Sequence, residues 1–226
     1  MPHRYNDSIM KTDPAADNAQ DQKWLRRYVK TGDPRTMDRL YEKYADLAYS
    51  TAYGVLCNSA DAEEAVQDGF MRILKHADQY KPRKNASVRN WMMKIIMNAG
   101  RDRLRGNSRR RQREHIAEQR RQQTSVPDKE REEKLKTVRS AMTALPERYR
   151  LPIWFHYYQG LPVTEVATML SLPIETVRTQ VKRGISRLRK PLAARGITGT
   201  TAVITGLIRE CPPQTAPAGL LRSISG

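Results

Sequence analysis

Residues 145–192, LPERYRLPIWFHYYQGLPVTEVATMLSLPIETVRTQVKRGISRLRKPL, decide how this chain folds. Val163, Val166, Ala167 and Leu170 recur at i, i+3, i+4 and i+7, the period of one face of a short helix. Ser171-Leu172-Pro173 interrupts the pattern, and a second run follows through Ile174, Val177, Val181, Ile185 and Leu188. Two helices joined by so short a turn must cross steeply and bury their apolar faces against each other, the geometry of a helix-turn-helix. The remaining positions of the second helix are Glu175, Thr176, Arg178, Thr179, Lys182, Arg183 and Ser186, which mix phosphate-seeking cations with groups able to read base edges. Taken alone, the same pattern fits an ordinary packing helix with a solvated charged face about equally well.

Working back from this stretch, a helix carries Leu135, Val138, Ala141, Met142 and Leu145, and another runs from about Glu147 to Gln159. The latter is rich in aromatics (Tyr149, Trp154, Phe155, Tyr157, Tyr158) that belong in a core, and Pro152 bends or shortens its first turn. Residues 106–133 contain almost no apolar side chain and read as a charged linker, basic first and acidic at its end. Before it, Val88, Trp91, Met92, Ile95, Ile96 and Ala99 form a helical core stripe, with Ser87 placed to cap the helix. Lys94, Asn98, Arg101, Asp102 and Arg105 make a second, wholly polar stripe on that helix, beside a basic loop QYKPRKN at 79–85 that contains Lys84. Such a stripe is usually only solvated, yet this mixture suits contact with exposed bases and phosphates.

The helix before that, about Ala60 to His76, is unusual in so basic a chain. Asp61, Glu63, Glu64, Gln67 and Asp68 cluster in its first two turns. The helix dipole favours one or two carboxylates there; the rest suggest a surface for a basic protein partner. Trp24, Leu25 and Tyr28 mark an earlier helix beginning at Asp21, which Thr31-Gly32-Asp33-Pro34 ends. A longer one follows with Met37, Leu40, Tyr41, Tyr44, Leu47, Ala48, Thr51 and Val55 on one stripe. Residues 1–20 are expected to be disordered, and the tail 193–226 to hold weak helices near 199–210 and 217–224 with no assignable role.

Composition sets the outer limits. The 226 residues carry a net charge of +17 and are only 38% apolar and 7% aromatic, so small helical modules are favoured over one large core. The charge points to a polyanionic partner, and nucleic acid fits better than membrane because no apolar run approaches the ~20 residues that span a bilayer. The first residues lack the apolar core of a secretory signal. Cys57 and Cys211 stand far apart, more plausibly reduced than bridged or metal-bound. The four histidines are scattered and no phosphate loop or nucleophile motif occurs, so catalytic residues, metals and cofactors are expected to be none, and the compartment cytoplasmic.

Several motifs, in order, resemble those of a bacterial RNA polymerase sigma factor of the extracytoplasmic-function type. DAEEAVQDGF at 61–70 is similar to that family's region-two acidic helix, VRNWM at 88–92 to its F-R-x-W-L, and NAGRDRLR at 98–105 to its N-x-x-x-D-x-x-R. LPERYR at 145–150 resembles the opening of region four, and TVRT at 176–179 its recognition helix. The resemblance implies an all-α fold: region two at 21–105, the linker at 106–133, region four at 134–192, and a C-terminal extension at 193–226. It implies that Asp61, Glu63, Glu64, Gln67 and Asp68 dock on the coiled coil of the polymerase's largest subunit. It assigns Lys84, Lys94, Asn98, Arg101, Asp102 and Arg105 to recognition and melting of the minus-ten promoter element. Thr176, Arg178, Thr179, Lys182 and Arg183 become contacts in the major groove of the minus-thirty-five element. Partners are then core RNA polymerase and promoter DNA, with an anti-sigma protein admitted and no membrane insertion. Pro173 replaces the family's capping serine, and Gly184 inside the recognition helix costs about 1 kcal/mol of propensity. The rival reading is a dimeric helix-turn-helix regulator on operator DNA, which leaves the acidic helix and the Asn98/Asp102 stripe without a task.

Overall fold

A computed structural model describes residues 14–82, 87–107, 129–211, 215–217 and 219–220, and all regular structure among them is helical. The first module comprises α1 (Pro14–Thr31), α2 (Pro34–Leu56), α3 (Ser59–Lys75), a single 3-10 turn (Ala77–Gln79) and α4 (Val88–Asn107). The second comprises α5 (Lys129–Thr143), α6 (Glu147–Ile153), α7 (Val163–Leu170) and α8 (Ile174–Ala193), and α9 (Thr201–Glu210) follows it.

Local sequence explains most boundaries. Asp33 caps α2 by accepting from Arg35 N, with Pro34 in the first turn. Asn58 accepts from Asp61 N and starts α3. Ser87 Oγ accepts from Asn90 N at 3.1 Å, as expected of the cap of α4. Leu25, Met37, Leu40, Tyr41, Phe70, Ile73, Met92 and Ile96 are nearly inaccessible and form the core on which the four helices of the first module converge.

Three expectations need correction. The first helix starts at Pro14, not Asp21, so residues 14–20 are ordered. Tertiary partners extend it through a polar stretch: Asp17 and Asp21 pair with Lys43 at 2.7 and 2.6 Å, and Asn18 accepts from Val88 N at the start of α4. The second module starts at Lys129, inside the expected linker, where Glu130–Lys134 and Glu132–Lys136 pair one turn apart. The helix expected to reach Gln159 changes character after Pro152: α6 ends at Ile153, and Trp154–Tyr158 is a π turn in which Gln159 N bonds to Trp154 O. Proline lacks the N–H for one bond of a regular ladder, and the widened turn follows two residues after it.

The helix-turn-helix is α7–α8. Val166, Ala167, Val177, Ile185 and Leu188 are buried as the periodicity predicts, whereas Ile174 is exposed at the open end of α8. Met169 lies off the predicted stripe yet is buried, because α7 packs on α8 and also on α4 of the first module. Ser171 turns the chain in the left-handed region at φ 56°, and Pro173 serves as the N-cap itself with an extended backbone. Gly184 is explained by contact: a Cβ there would stand 2.5 Å from Ile153 Cδ1 and 3.3 Å from Tyr149 O, so α6 crosses α8 where only hydrogen fits. The propensity cost of that glycine is offset by helix approach. Beyond Ala193, α9 packs on α5 and on the π turn, and the contacts of α2 with α6 and α4 with α7 join both modules in one apolar cluster.

Candidate nucleic-acid and protein interfaces

Helix α8 exposes Arg178, Thr179, Lys182 and Arg183, while Thr176 is half-buried. All five expected residues lie on this helix away from its core side. Arg178 Nη1 is 2.7 Å from Glu175 Oε1, an exposed pair that yields readily to a phosphate. An open groove of about 380 Å³ runs between α6 and α8, bounded by Arg148 and Tyr149 on one side and Thr176, Thr179, Gln180 and Arg183 on the other. The guanidinium groups of Arg148 and Arg187 lie 4.8 and 4.9 Å from the Tyr149 ring centre. These two cations enlarge the positive face and were missed by motif reading. Arg187, one turn beyond Arg183, was the available signal.

On α4 the polar stripe divides. Asn98 is exposed. Asp102 meets Arg72 of α3 at 2.6 Å, and Arg105 is 3.8 Å from the same carboxylate. Lys94 and Arg101, seven residues apart on one edge, face the second module: Lys94 Nζ donates to Ser171 Oγ at 2.5 Å and Arg101 Nε to Glu147 at 2.8 Å. Arg89, another residue outside the expected set, forms an ion pair with Glu165 of α7. Lys84 lies outside the described residues. At the base of its loop, Tyr80 packs on Trp91 with ring centres 5.5 Å apart, and its hydroxyl accepts from Gln22 Nε2. Burial raises the Tyr80 phenol above its ordinary pKa, which keeps it neutral.

On α3, Glu64 and Asp68 are exposed and both reach Arg103 of α4, Asp68 at 2.9 Å. Asp61, Glu63 and Gln67 are half-buried. Only Asp61 lies in the first turn, so the helix dipole explains one carboxylate of the cluster. Met71 is 61% exposed on the same side as Glu64 and Asp68, giving the acidic face an apolar point suited to a protein partner. Its position off the core stripe of α3 was the signal for it.

Elsewhere, polar groups serve packing. His156 Nδ1 lies 2.8 Å from Leu161 O. Burial pushes the Cys211 thiol up to about 11, so it is protonated at neutral pH, and Cys57 and Cys211 form no disulfide. Among the described residues no acidic, histidine or cysteine group is arranged to hold a metal, and no helix is long and apolar enough to cross a membrane.

A family profile for sigma-70 region 2 matches residues 40–110, and one for sigma-70 region 4 matches residues 135–188. The chain is 28% identical over 170 residues to the ECF RNA polymerase sigma factor SigE of Mycolicibacterium smegmatis, covering 72% of this chain and 65% of that relative's length. It is 26% identical over 180 residues to the ECF RNA polymerase sigma factor SigW of Bacillus subtilis, covering 74% and 94%. Two solved structures share the fold. The sigma factor RpoE of Bartonella quintana, bound to the anti-sigma factor NepR, aligns with a TM-score of 0.54 at 18% identity over 70% of this chain and 96% of that one. CnrH, bound to the cytosolic domain of CnrY, aligns with a TM-score of 0.56 at 21% identity over 79% and 98%.

Proposed function

Since this chain belongs to the sigma-70 family of RNA polymerase sigma factors, in its extracytoplasmic-function branch, we propose a division of labour among its three polar faces. A sigma factor binds core RNA polymerase and directs it to promoters, and here the acidic side of α3 takes the polymerase. Glu64 and Asp68 supply charge that a basic surface can take over from Arg103, and Met71 supplies apolar contact. The polar edge of α4, with Lys94, Asn98, Arg101, Asp102 and Arg105, takes the minus-ten element together with Lys84. Helix α8 enters the major groove of the minus-thirty-five element, where Arg178, Thr179, Lys182 and Arg183 read bases and hold phosphates and Thr176 supports the helix start.

The observation that carries this reading is one chain bearing both an acidic, Met-tipped helix face and a cationic helix-turn-helix, two surfaces for partners of opposite charge. The protein does no bond chemistry of its own in this scheme; its binding energy positions polymerase and holds melted DNA. It works where the polymerase is, in the cytoplasm. An anti-sigma protein is a further proposed partner, supported by the complexed state of the Bartonella neighbour. Reconstitution with bacterial core RNA polymerase and run-off transcription over a promoter library is the test. Transcripts from a narrow promoter set, absent with core alone, are expected; tight duplex binding without core and no transcription with it would refute the assignment.

A further inference from the structure

Helix α8 turns one unbroken polar stripe to solvent. Glu175, Arg178, Thr179, Lys182, Arg183 and Ser186 recur at i, i+3, i+4, i+7, i+8 and i+11, and all six are exposed. The opposite side of the helix holds Val177, Gly184, Ile185 and Leu188 in the core. Five members of the stripe are cationic or hydroxylic, the ordinary composition of a surface for phosphates and base edges. Glu175 is the exception. Its side chain, 78% exposed, stands in the first turn at the head of the stripe assigned above to the major groove.

A helix start favours negative charge, which accounts for an acid anywhere in the first turn. It does not account for one aimed along the DNA face, where phosphates repel it. Nor does Glu175 serve as a cap. The N-cap, Pro173, offers no side chain to the first N–H groups of α8, and the Glu175 carboxylate does not replace it. Among the described residues it bonds the Arg178 guanidinium, Oε1 to Nη1 at 2.7 Å. Both partners are exposed and their pair is weak, so either turns readily to a better one. Glu175 also borders the open groove between α6 and α8, beside Thr176, Thr179 and Arg183.

The N-terminal residues of a recognition helix are those that reach base edges. In the major groove guanine shows two acceptors, thymine an acceptor and a methyl group, and adenine a donor beside an acceptor. Cytosine shows its N4 amine alone, a donor with no acceptor next to it. A carboxylate finds an undivided donor only there.

We infer that Glu175 determines promoter specificity by accepting a hydrogen bond from the N4 amine of a cytosine in the upstream element. The inference rests on the assignment of α8 to the major groove made above. Arg178, released from Glu175, is free to take a guanine, the base its forked donors fit best. The carboxylate acts by exclusion as much as by attraction, because any base without the amine leaves it desolvated and unpaired.

The test selects duplexes randomised across the upstream element with the full chain, both alone and with core polymerase, and repeats the selection with Glu175→Ala and Glu175→Gln. Wild type is expected to prefer cytosine at one position by ~10-fold, the discrimination one good base contact supplies. Glu175→Ala is expected to lose that preference and keep the others. Glu175→Gln is expected to move it to adenine, whose N6 and N7 match a side-chain amide. Variants that change binding equally for every base would overturn the proposal and leave Glu175 as a charge on the helix start. So would a wild type that prefers no cytosine, or variants that select the same sequences as wild type. The expected base change without polymerase, joined to no transcription with it, sinks the sigma assignment and leaves this inference standing. Transcription by wild type with no base change in the variants does the reverse.

Discussion

The charged face of the first module and that of α8 differ in how their charges are spent. On the first, the main exposed charges are paired: Glu64 and Asp68 with Arg103, Asp102 with Arg72, Arg101 with Glu147. On α8, Lys182 and Arg183 are exposed and carry no ion pair among the described residues. A DNA contact from α8 therefore breaks almost nothing, whereas a contact made by Glu64, Asp68, Arg101 or Asp102 of the first module trades an existing pair for a new one. Mutational effects on α8 report the contact itself; those on α3 and α4 report a difference between two pairings.

The largest effect is expected on the paired face. Reversing Glu64 and Asp68 together to Lys places like charges against a basic partner and against Arg103, costing several kcal/mol in core-polymerase affinity, on the order of 3. A polymerase pull-down titration measures it, and duplex binding through α8 should not change. Next, Arg183→Ala on the open face should weaken binding to an upstream-element duplex by about 1–3 kcal/mol if the side chain reads a base. Anisotropy titrations on matched and mismatched duplexes separate base reading from charge, and equal losses on both would reduce Arg183 to a phosphate contact. Gly184→Ala, which touches neither face, should cost about 1–3 kcal/mol of stability through overpacking against Ile153, seen as a lower Tm.

Smaller effects sharpen the contrast. A double-mutant cycle on Arg72→Ala and Asp102→Asn should return a coupling of about 0.2–1 kcal/mol in stability, as an exposed pair does. Open-complex formation should suffer in Asp102→Asn and not in Arg72→Ala. Lys182→Ala is expected to lower the salt dependence of duplex binding by about one counterion with little change in specificity.

Much of the fold was legible because helix periodicity is local. The apolar residues of α3, α4 and α8 repeat with the helical period, and Asp33, Asn58 and Ser87 cap where short polar side chains are expected to. Residues 14–20 were illegible: Asp17 and Asn18, like the buried Asp21 that follows them, are polar side chains whose partners Lys43, Tyr44 and Val88 lie far along the chain. The candidate site was legible where motifs carry it, in the acids of α3 and the exposed positions of α8. It was not legible for Met71, Arg148 and Arg187, whose meaning depends on what lies beside them.

The sequence by itself determined an all-helical chain with an acidic helix, a polar-edged helix and a cationic helix-turn-helix, since each is written in spacing and residue type within one element. Only the tertiary structure decided that Gly54 and Gly184 are points of contact and not weaknesses, and that Arg150 and Trp154 reach carbonyls of the other module. It also decided that Lys94 and Arg101 are engaged by region four. The physical reason is that these choices are made by backbone carbonyls, by the space between helices and by side chains far apart in the chain, none of which has a signature in the local order of residues.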